Sequence, residues 1–252
     1  MINLVKAISD IRDSVASVLR IHMLKPAKQK KGGIRPPQFN ISLVGTAWCI
    51  VENKYMVTAY HVFNGGKPRI KSDKFYVFSV PKNGPKAFHF PVTNFILEDK
   101  NSDMAIIEIG PSPVSDIKIK SCPITFKFQV DGAKVLTYGF PAPQVESGNV
   151  DQDGNWLGGG KFFLKAHANE GIVSAVYELD GLMFYELNVE WHHGESGGPI
   201  FTLQEEVPTA FSIMQQYRNI QAPHGIIPGP HRGRSLSAIE SELKDIGATI
   251  RD

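Results

Sequence analysis

Only two cysteines, Cys49 and Cys122, occur in 252 residues, too few for the multi-bridge framework that staples small secreted domains. Both read as small buried hydrophobes, reduced rather than bridged. Two thiols and scattered histidines also make no zinc site, because His192 and His193 are neighbours that a strand would point to opposite faces. No apolar run reaches the ~18 residues of a membrane-spanning helix. The N-terminus lacks the ordered basic region, apolar core and cleavage site of a secretory signal, which points to a cytoplasmic protein. An excess of one charge is missing too. With 27 Lys and Arg against 25 Asp and Glu the net charge is +2, so the chain carries no electrostatic footprint for nucleic acid.

Helical periodicity is scarce and confined to the two ends. Leu4, Ile8, Ile11 and Val15 recur at helical spacing, so Ile2 to Ser14 is expected to be an amphipathic helix leading into a strand, Val15 to Met23. At the other end Ser237-Ala238-Ile239-Glu240 reads as a capping box, with Ile239, Leu243 and Ile246 on one face before Gly247. Between them lie short β-branched and aromatic runs separated by turn residues, with 23 Gly and 17 Pro in the chain. Phe39 to Leu43, Phe75 to Val80, Ile106 to Ile109, Lys134 to Tyr138, Phe184 to Val189 and Phe211 to Met214 are the clearest. The pattern is that of an all-β protein.

Several motifs with a possible ligand fail on spacing. Asp151-Gln152-Asp153-Gly154-Asn155 begins like a calcium loop, but its glycine is misplaced and position twelve is Phe162 rather than Glu. It is expected to be a turn. Gly158-Gly159-Gly160-Lys161 lacks the spacing and the Ser or Thr of a phosphate-binding loop. No metal and no cofactor is expected. The basic run from Lys25 to Arg35 is expected to be a solvated loop, and Pro141 to Gly160 a long polar connection beside the rim of the second half of the chain, shaping substrate access.

One segment carries chemistry. His193-Gly194-Glu195-Ser196-Gly197-Gly198-Pro199 surrounds a serine with glycines that allow a sharp turn, letting the N–H groups of Gly194 and Ser196 point into one concavity. Serine is a poor nucleophile at neutral pH. It needs an imidazole to take its proton, and the imidazole needs a carboxylate to fix its tautomer. His61 ends an apolar run, Met56 to Tyr60, where a strand gives way to a loop. Asp103 precedes another, Met104 to Ile109.

On these residues the chain resembles the trypsin/chymotrypsin clan of serine peptidases, and within it the bacterial trypsin-like and HtrA-like branch. The resemblance rests on Gly45-Thr46-Ala47-Trp48, Thr58-Ala59-Tyr60-His61-Val62, Ser102-Asp103-Met104-Ala105, Gly194-Glu195-Ser196-Gly197-Gly198-Pro199 and Tyr138-Gly139-Phe140-Pro141. It implies two six-stranded antiparallel β-barrels of the chymotrypsin type with a short helix at each end. The first, residues 1–118, would carry His61 and Asp103; the second, 119–252, Ser196. It also implies a catalytic triad of His61, Asp103 and Ser196 and an oxyanion hole from Gly194 and Ser196, acting on a protein or peptide.

Two departures and one position qualify that likeness. Glu195 stands where the clan usually has Asp or Asn, an acid that secreted members use to bind a newly freed N-terminus. No propeptide is evident, and Ile21 after Arg20 fits a strand interior, so activity or regulation without N-terminal cleavage is expected, with room for an activating or regulatory protein partner. Few residues follow Ser196, so no PDZ-type extension is expected. By resemblance Glu190, six residues before the serine, lies near the primary pocket. Buried there it would favour Lys or Arg before the cut; otherwise it is a solvated strand-end acid. His193 at the rim, with Ser212 and Met214 on the strand Phe211 to Gln215, are the other candidate substrate contacts. A silent binding module of the same fold and a triad esterase remain the alternatives.

Overall fold

A computed structural model describes residues 3–30, 33–66, 68–81, 86–113, 117–203, 207–222 and 225–251, with side chains for all of these except 30, 216–222 and 226–228. Helix α1 (Leu4–Ile11) is capped by Asn3, whose side chain accepts from the Lys6 N–H at 3.2 Å, and buries Ala7 and Ile11. A 3-10 turn, Arg12–Ser14, feeds it into β1 (Val15–Lys25). The expected helix is thus present from residue 4 onward; Ile2 lies outside the described residues.

The strands follow as β2 (Lys28–Lys30), β3 (Gly33–Arg35), β4 (Gln38–Val51), β5 (Tyr55–Ala59), β6 (Lys74–Ser79), β7 (Phe88–Asp99) and β8 (Met104–Ile109). Six of them close a barrel in the order β1-β4-β5-β8-β7-β6, every pair antiparallel. After β9 (Lys134–Gly139) come β10 (Gln144–Val150), β11 (Trp156–Phe163), β12 (His167–Leu179), β13 (Leu182–Leu187), β14 (Pro199–Thr202), β15 (Thr209–Ala222) and β16 (Gly225–Ser235). A second closed barrel runs β12-β13-β16-β15-β14-β9. The expected all-β architecture of two six-stranded antiparallel barrels is therefore what the chain adopts, and closure removes the sheet edges that would invite pairing with other chains.

One apolar cluster joins the barrels. It runs from Ile11, Val18 and Trp48 through Ile106 and Phe140 to Phe201, Ile213 and Leu243, all buried. Cys49 and Cys122 are free and buried within it, as expected. Burial pushes the Cys49 thiol up to about 12 and the Cys122 thiol up as well, so neither supplies a thiolate near neutral pH.

Four local expectations change. Within the basic run β2 pairs with β3, so its described residues, though mostly exposed, are not an irregular loop. The connection 141–160 is also a hairpin, β10 with β11, and it lies on the first barrel rather than at the rim of the second. Apolar side chains at alternate positions explain this: Trp156 and Phe162 share a cluster with Leu19, Ile21, Leu43, Tyr76 and Phe78, and the Trp156 N–H donates to the Tyr76 hydroxyl at 2.9 Å. Its tip is the expected turn, with Asp151 Oδ1 accepting from the N–H of Asp153 and Asn155 at 2.9 and 2.8 Å. At the C-terminus the cap is Ser235, which accepts from the Ser237 N–H at 3.2 Å. It opens a 3-10 turn, Leu236–Ile239, ahead of α3 (Glu240–Asp245). Finally, His61 lies not in a loop but in the first turn of a short helix, α2 (Tyr60–Asn64). Among the described residues no helix is long and apolar enough to cross a membrane.

Candidate active site

Strand β5 delivers His61, and the turn between β7 and β8 delivers Asp103. Asp103 adopts a left-handed backbone, φ 54°, a conformation that costs a non-glycine residue energy and persists only where its surroundings impose it. Here three bonds do so. The Asp103 carbonyl accepts from the Tyr60 N–H at 3.1 Å, and its carboxylate from the His61 N–H at 3.0 Å and from His61 Nδ1 at 2.8 Å. With Nδ1–H committed to the carboxylate, Nε2 is left as the free nitrogen of the ring. The turn is tied to the second barrel: Gln215 Nε2 on β15 donates to the Ser102 carbonyl at 2.9 Å. His61 and Asp103 are each about a quarter exposed, 22% and 25%.

Ser196 sits in the second of two consecutive turns, closed by Glu195 N–H to His192 O at 3.1 Å and Gly198 N–H to Glu195 O at 2.9 Å. Gly194 at φ 101° and Gly197 at φ 83° occupy conformations that residues with a Cβ rarely adopt. Thr46 on β4 pins the loop from the first barrel. Its hydroxyl donates to Gly194 O at 2.7 Å and its N–H to Ser196 O at 2.9 Å. On the far side Ala142 N–H donates to His193 O at 2.7 Å. A planar trans peptide sends N–H opposite to C=O, so the Gly194 N–H points away from Ala142. Among the described residues neither that N–H nor the Ser196 N–H has a hydrogen-bond partner.

Glu195 is sealed beneath the loop at 1% exposure. Its Oε2 accepts from the His192 N–H at 2.6 Å, while its Oε1 is buried without a partner among the described residues. The Arg20–Ile21 bond lies inside β1, bonded on both edges to β4 and β6 with Ile21 fully buried. Burial raises the Glu195 carboxyl above its ordinary 4.5. The folded protein therefore holds a proton that the unfolded chain releases, and stability falls as pH rises from about 4.5 through the raised value. Glu195→Gln, which copies the protonated acid, is expected to flatten that decline and raise stability at neutral pH by about 1 kcal/mol. Thermal denaturation of both proteins between pH 4 and 8 measures it.

His61 and Ser196 face a common cleft of about 800 Å³ that Glu190, His193, Trp191 and Gln215 also line. Among the described residues no hydrogen bond joins the two side chains, a looseness usual before substrate binds. Glu190 lies beyond the end of β13 at Leu187 and is exposed where it lines the cleft. Ser212 and Met214 are corrections: both are fully buried and neither reaches the cleft. The Ser212 hydroxyl donates to Arg234 O at 2.8 Å, and Met214 packs behind the serine loop, exchanging backbone bonds with Gly197 and Gly198. Strand β15 is buried on both faces from Thr209 through Gln215, so alternation assigns it no solvent side there. Sequence reasoning passed over Trp191, whose Nε1–H donates to Gln215 O at 2.8 Å across the cleft wall, and Thr46 as an anchor. Among the described residues no group of His, Cys, Asp and Glu could hold a metal ion.

The family model for the trypsin-like peptidase domain matches residues 45–207. A search of curated proteins finds no significant match. Among solved structures the chain is similar to the HtrA-type protease AlgW with a decapeptide, with a TM-score of 0.63 and 15% identity over 97% of this chain and 67% of that one. A substituted form of AlgW, also with a decapeptide, gives a TM-score of 0.59 and 15% identity, covering 99% and 69%. At that identity the likeness carries the fold alone.

Proposed function

Because the chain belongs to the trypsin-like peptidase domain family, and so is a serine protease, we propose that it is an endopeptidase working through Ser196, His61 and Asp103. His61 Nε2 takes the Ser196 proton as Oγ attacks the scissile carbonyl, and Asp103 fixes the ring and offsets the charge of the imidazolium. The oxyanion that develops is received by the N–H groups of Gly194 and Ser196, each such donor contributing ~3 to 4 kcal/mol to transition-state stabilisation. His61 then protonates the leaving amine, and water releases the acyl group. The observation that supports this reading is a carboxylate-held imidazole and a serine lining one cleft, on a loop whose Gly194 and Ser196 N–H groups have no hydrogen-bond partner among the described residues.

A peptide or protein substrate suits a cleft of this size, and both similar AlgW structures hold a decapeptide. The unbridged, buried cysteines support a reducing, cytoplasmic setting. With the serine turn already held by Thr46, Ala142 and Glu195, a regulatory protein partner would act on access to the cleft rather than on assembly of the site.

Glu190 supports a preference for Lys or Arg before the cut, but solvent screens its exposed carboxylate. Glu190→Gln is expected to lower kcat/KM on such peptides by about twofold to fivefold and to leave uncharged ones unchanged. Incubation of a peptide library with mass-spectrometric mapping of the cut sites measures this and tests the activity itself. Hydrolysis of esters with no cut in any peptide would overturn the endopeptidase assignment.

A further inference from the structure

Outside the first barrel the chain carries charge of one sign. Between Leu24 and Gln38 the sequence has five Lys and Arg and no Asp or Glu. The β1–β4 ladder runs out to Lys25 opposite Gln38, and past it β2 and β3 pair as a sheet of two strands alone, so each keeps one edge without a neighbouring strand among the described residues. Register sets Lys28 directly opposite Arg35, two cations on one face, and Gln29 opposite Ile34 on the other. Like charges so placed repel. None of Lys25, Lys28 and Arg35 has an ion-pair partner among the described residues, and Arg35 Nε is buried without a hydrogen bond there. Ile34 is 73% and Leu24 49% exposed, so aliphatic side chains stand in water beside unanswered charge.

We propose that the β2–β3 hairpin docks an extended acidic segment of a partner protein, added as a third strand in which Asp or Glu alternates with an aliphatic residue. Side chains of an added strand alternate between the two faces of the sheet, so its acids meet Lys28 and Arg35 while its aliphatic residues cover Ile34. Exposed charge pairs contribute little singly. Backbone bonds along the strand edge and the apolar contact supply the remainder. The same features reject other occupants. A second copy of the hairpin would set like charge against like, and Pro26, Pro36 and Pro37 flank the two strands, the usual protection of an exposed edge against its own kind. Duplex DNA or an anionic lipid surface would answer the charge but leave both strand edges bonded only to water. Strand β4, which follows the hairpin, carries Val44 into the wall of the cleft. At ~3.3 Å per strand residue a partner held at Arg35 stands roughly 30 Å along the chain from that wall. Docking there is independent of the chemistry in the cleft.

The probe is a fluorescein-labelled peptide of alternating Glu and Val, titrated by fluorescence anisotropy with Ser196→Ala protein, which keeps it uncut. It is expected to bind about tenfold more tightly than a peptide of the same composition with Glu and Val in separate blocks, and more tightly still than one with Lys in place of Glu. Lys28→Glu with Arg35→Glu should remove that binding and favour the Lys-Val peptide instead, without moving the melting temperature, because the hairpin belongs to neither barrel. Ile34→Ser, which leaves every charge in place, should weaken the alternating peptide about threefold. No binding of the alternating peptide, equal affinity for the two Glu peptides, or binding that survives the double substitution or is unchanged by Ile34→Ser would each overturn the docking site. Tighter binding of duplex DNA or of phosphatidylserine vesicles would overturn it as well. Hydrolysis of other peptides by the unsubstituted enzyme reads the endopeptidase assignment separately.

Discussion

Ser196→Ala is expected to lower kcat for peptide hydrolysis by about six orders of magnitude, the scale on which triad members act as a unit, while moving the melting temperature by no more than a degree or two. The first expectation follows from losing the only atom that forms the acyl bond. The second follows from the setting: Ser196 is half-buried, and among the described residues its hydroxyl makes no hydrogen bond, whereas its backbone is held by Thr46 regardless of side chain. Asp103→Asn is expected to cost about 10⁴ in kcat by presenting the wrong tautomer of His61. It should also cost stability, because the same carboxylate accepts from the His61 backbone N–H. Single-turnover kinetics beside thermal melts separate these losses. A Ser196→Ala protein that still cleaved peptides at even a hundredth of the parent rate would place the nucleophile elsewhere.

Gly197→Ala is expected to be the most damaging single substitution to the fold. A Cβ at Gly197 would collide with Thr58 Oγ1 and lie 2.5 Å from Thr46 O and 2.7 Å from Ala59 N, while φ stays at +83°. Two of those three atoms are backbone, so no rotamer relieves the clash. All belong to β4 and β5 of the first barrel, whereas the Gly197 N–H bonds to Met214 O in the second at 2.8 Å. The methyl group would act as a wedge in the seam between barrels. A loss above ~4 kcal/mol is expected, enough to leave much of a marginally stable domain unfolded. Gly158→Ala is the control: φ is +88° but nothing lies within 4 Å of its Cβ, so only backbone strain of about 1 kcal/mol applies. Melting temperatures of the two proteins within a few degrees of each other would show that the seam tolerates the wedge.

What was legible in the sequence is what depends on neighbours along the chain. Alternating apolar runs gave β4, β6, β8 and β9, and a glycine-flanked serine gave the active loop, because strand pattern and turn chemistry are local. The misses are contacts over distance. Trp156 meets the Tyr76 hydroxyl 80 positions away, so nothing local announced that the β10–β11 hairpin would dock on the first barrel. Ser212 and Met214 follow from reading Phe211 to Gln215 as a cleft wall that pairs with substrate, and a strand's sequence does not tell a wall from a stretch buried on both faces. His22 and Asp73, 51 positions apart, meet only because a barrel closes. Glu195 was visible as a departure from the clan, but its burial against the His192 N–H was not.

The most direct test of the central claim is covalent labelling with a fluorophosphonate, which reacts only with a serine that a neighbouring base activates and an oxyanion hole receives. Intact-mass analysis followed by peptide mapping of the unsubstituted protein is expected to find one adduct, on Ser196, that disappears in His61→Ala protein. A folded protein that takes no label, or takes it on another serine, would contradict the assignment of Ser196, His61 and Asp103 as its catalytic centre.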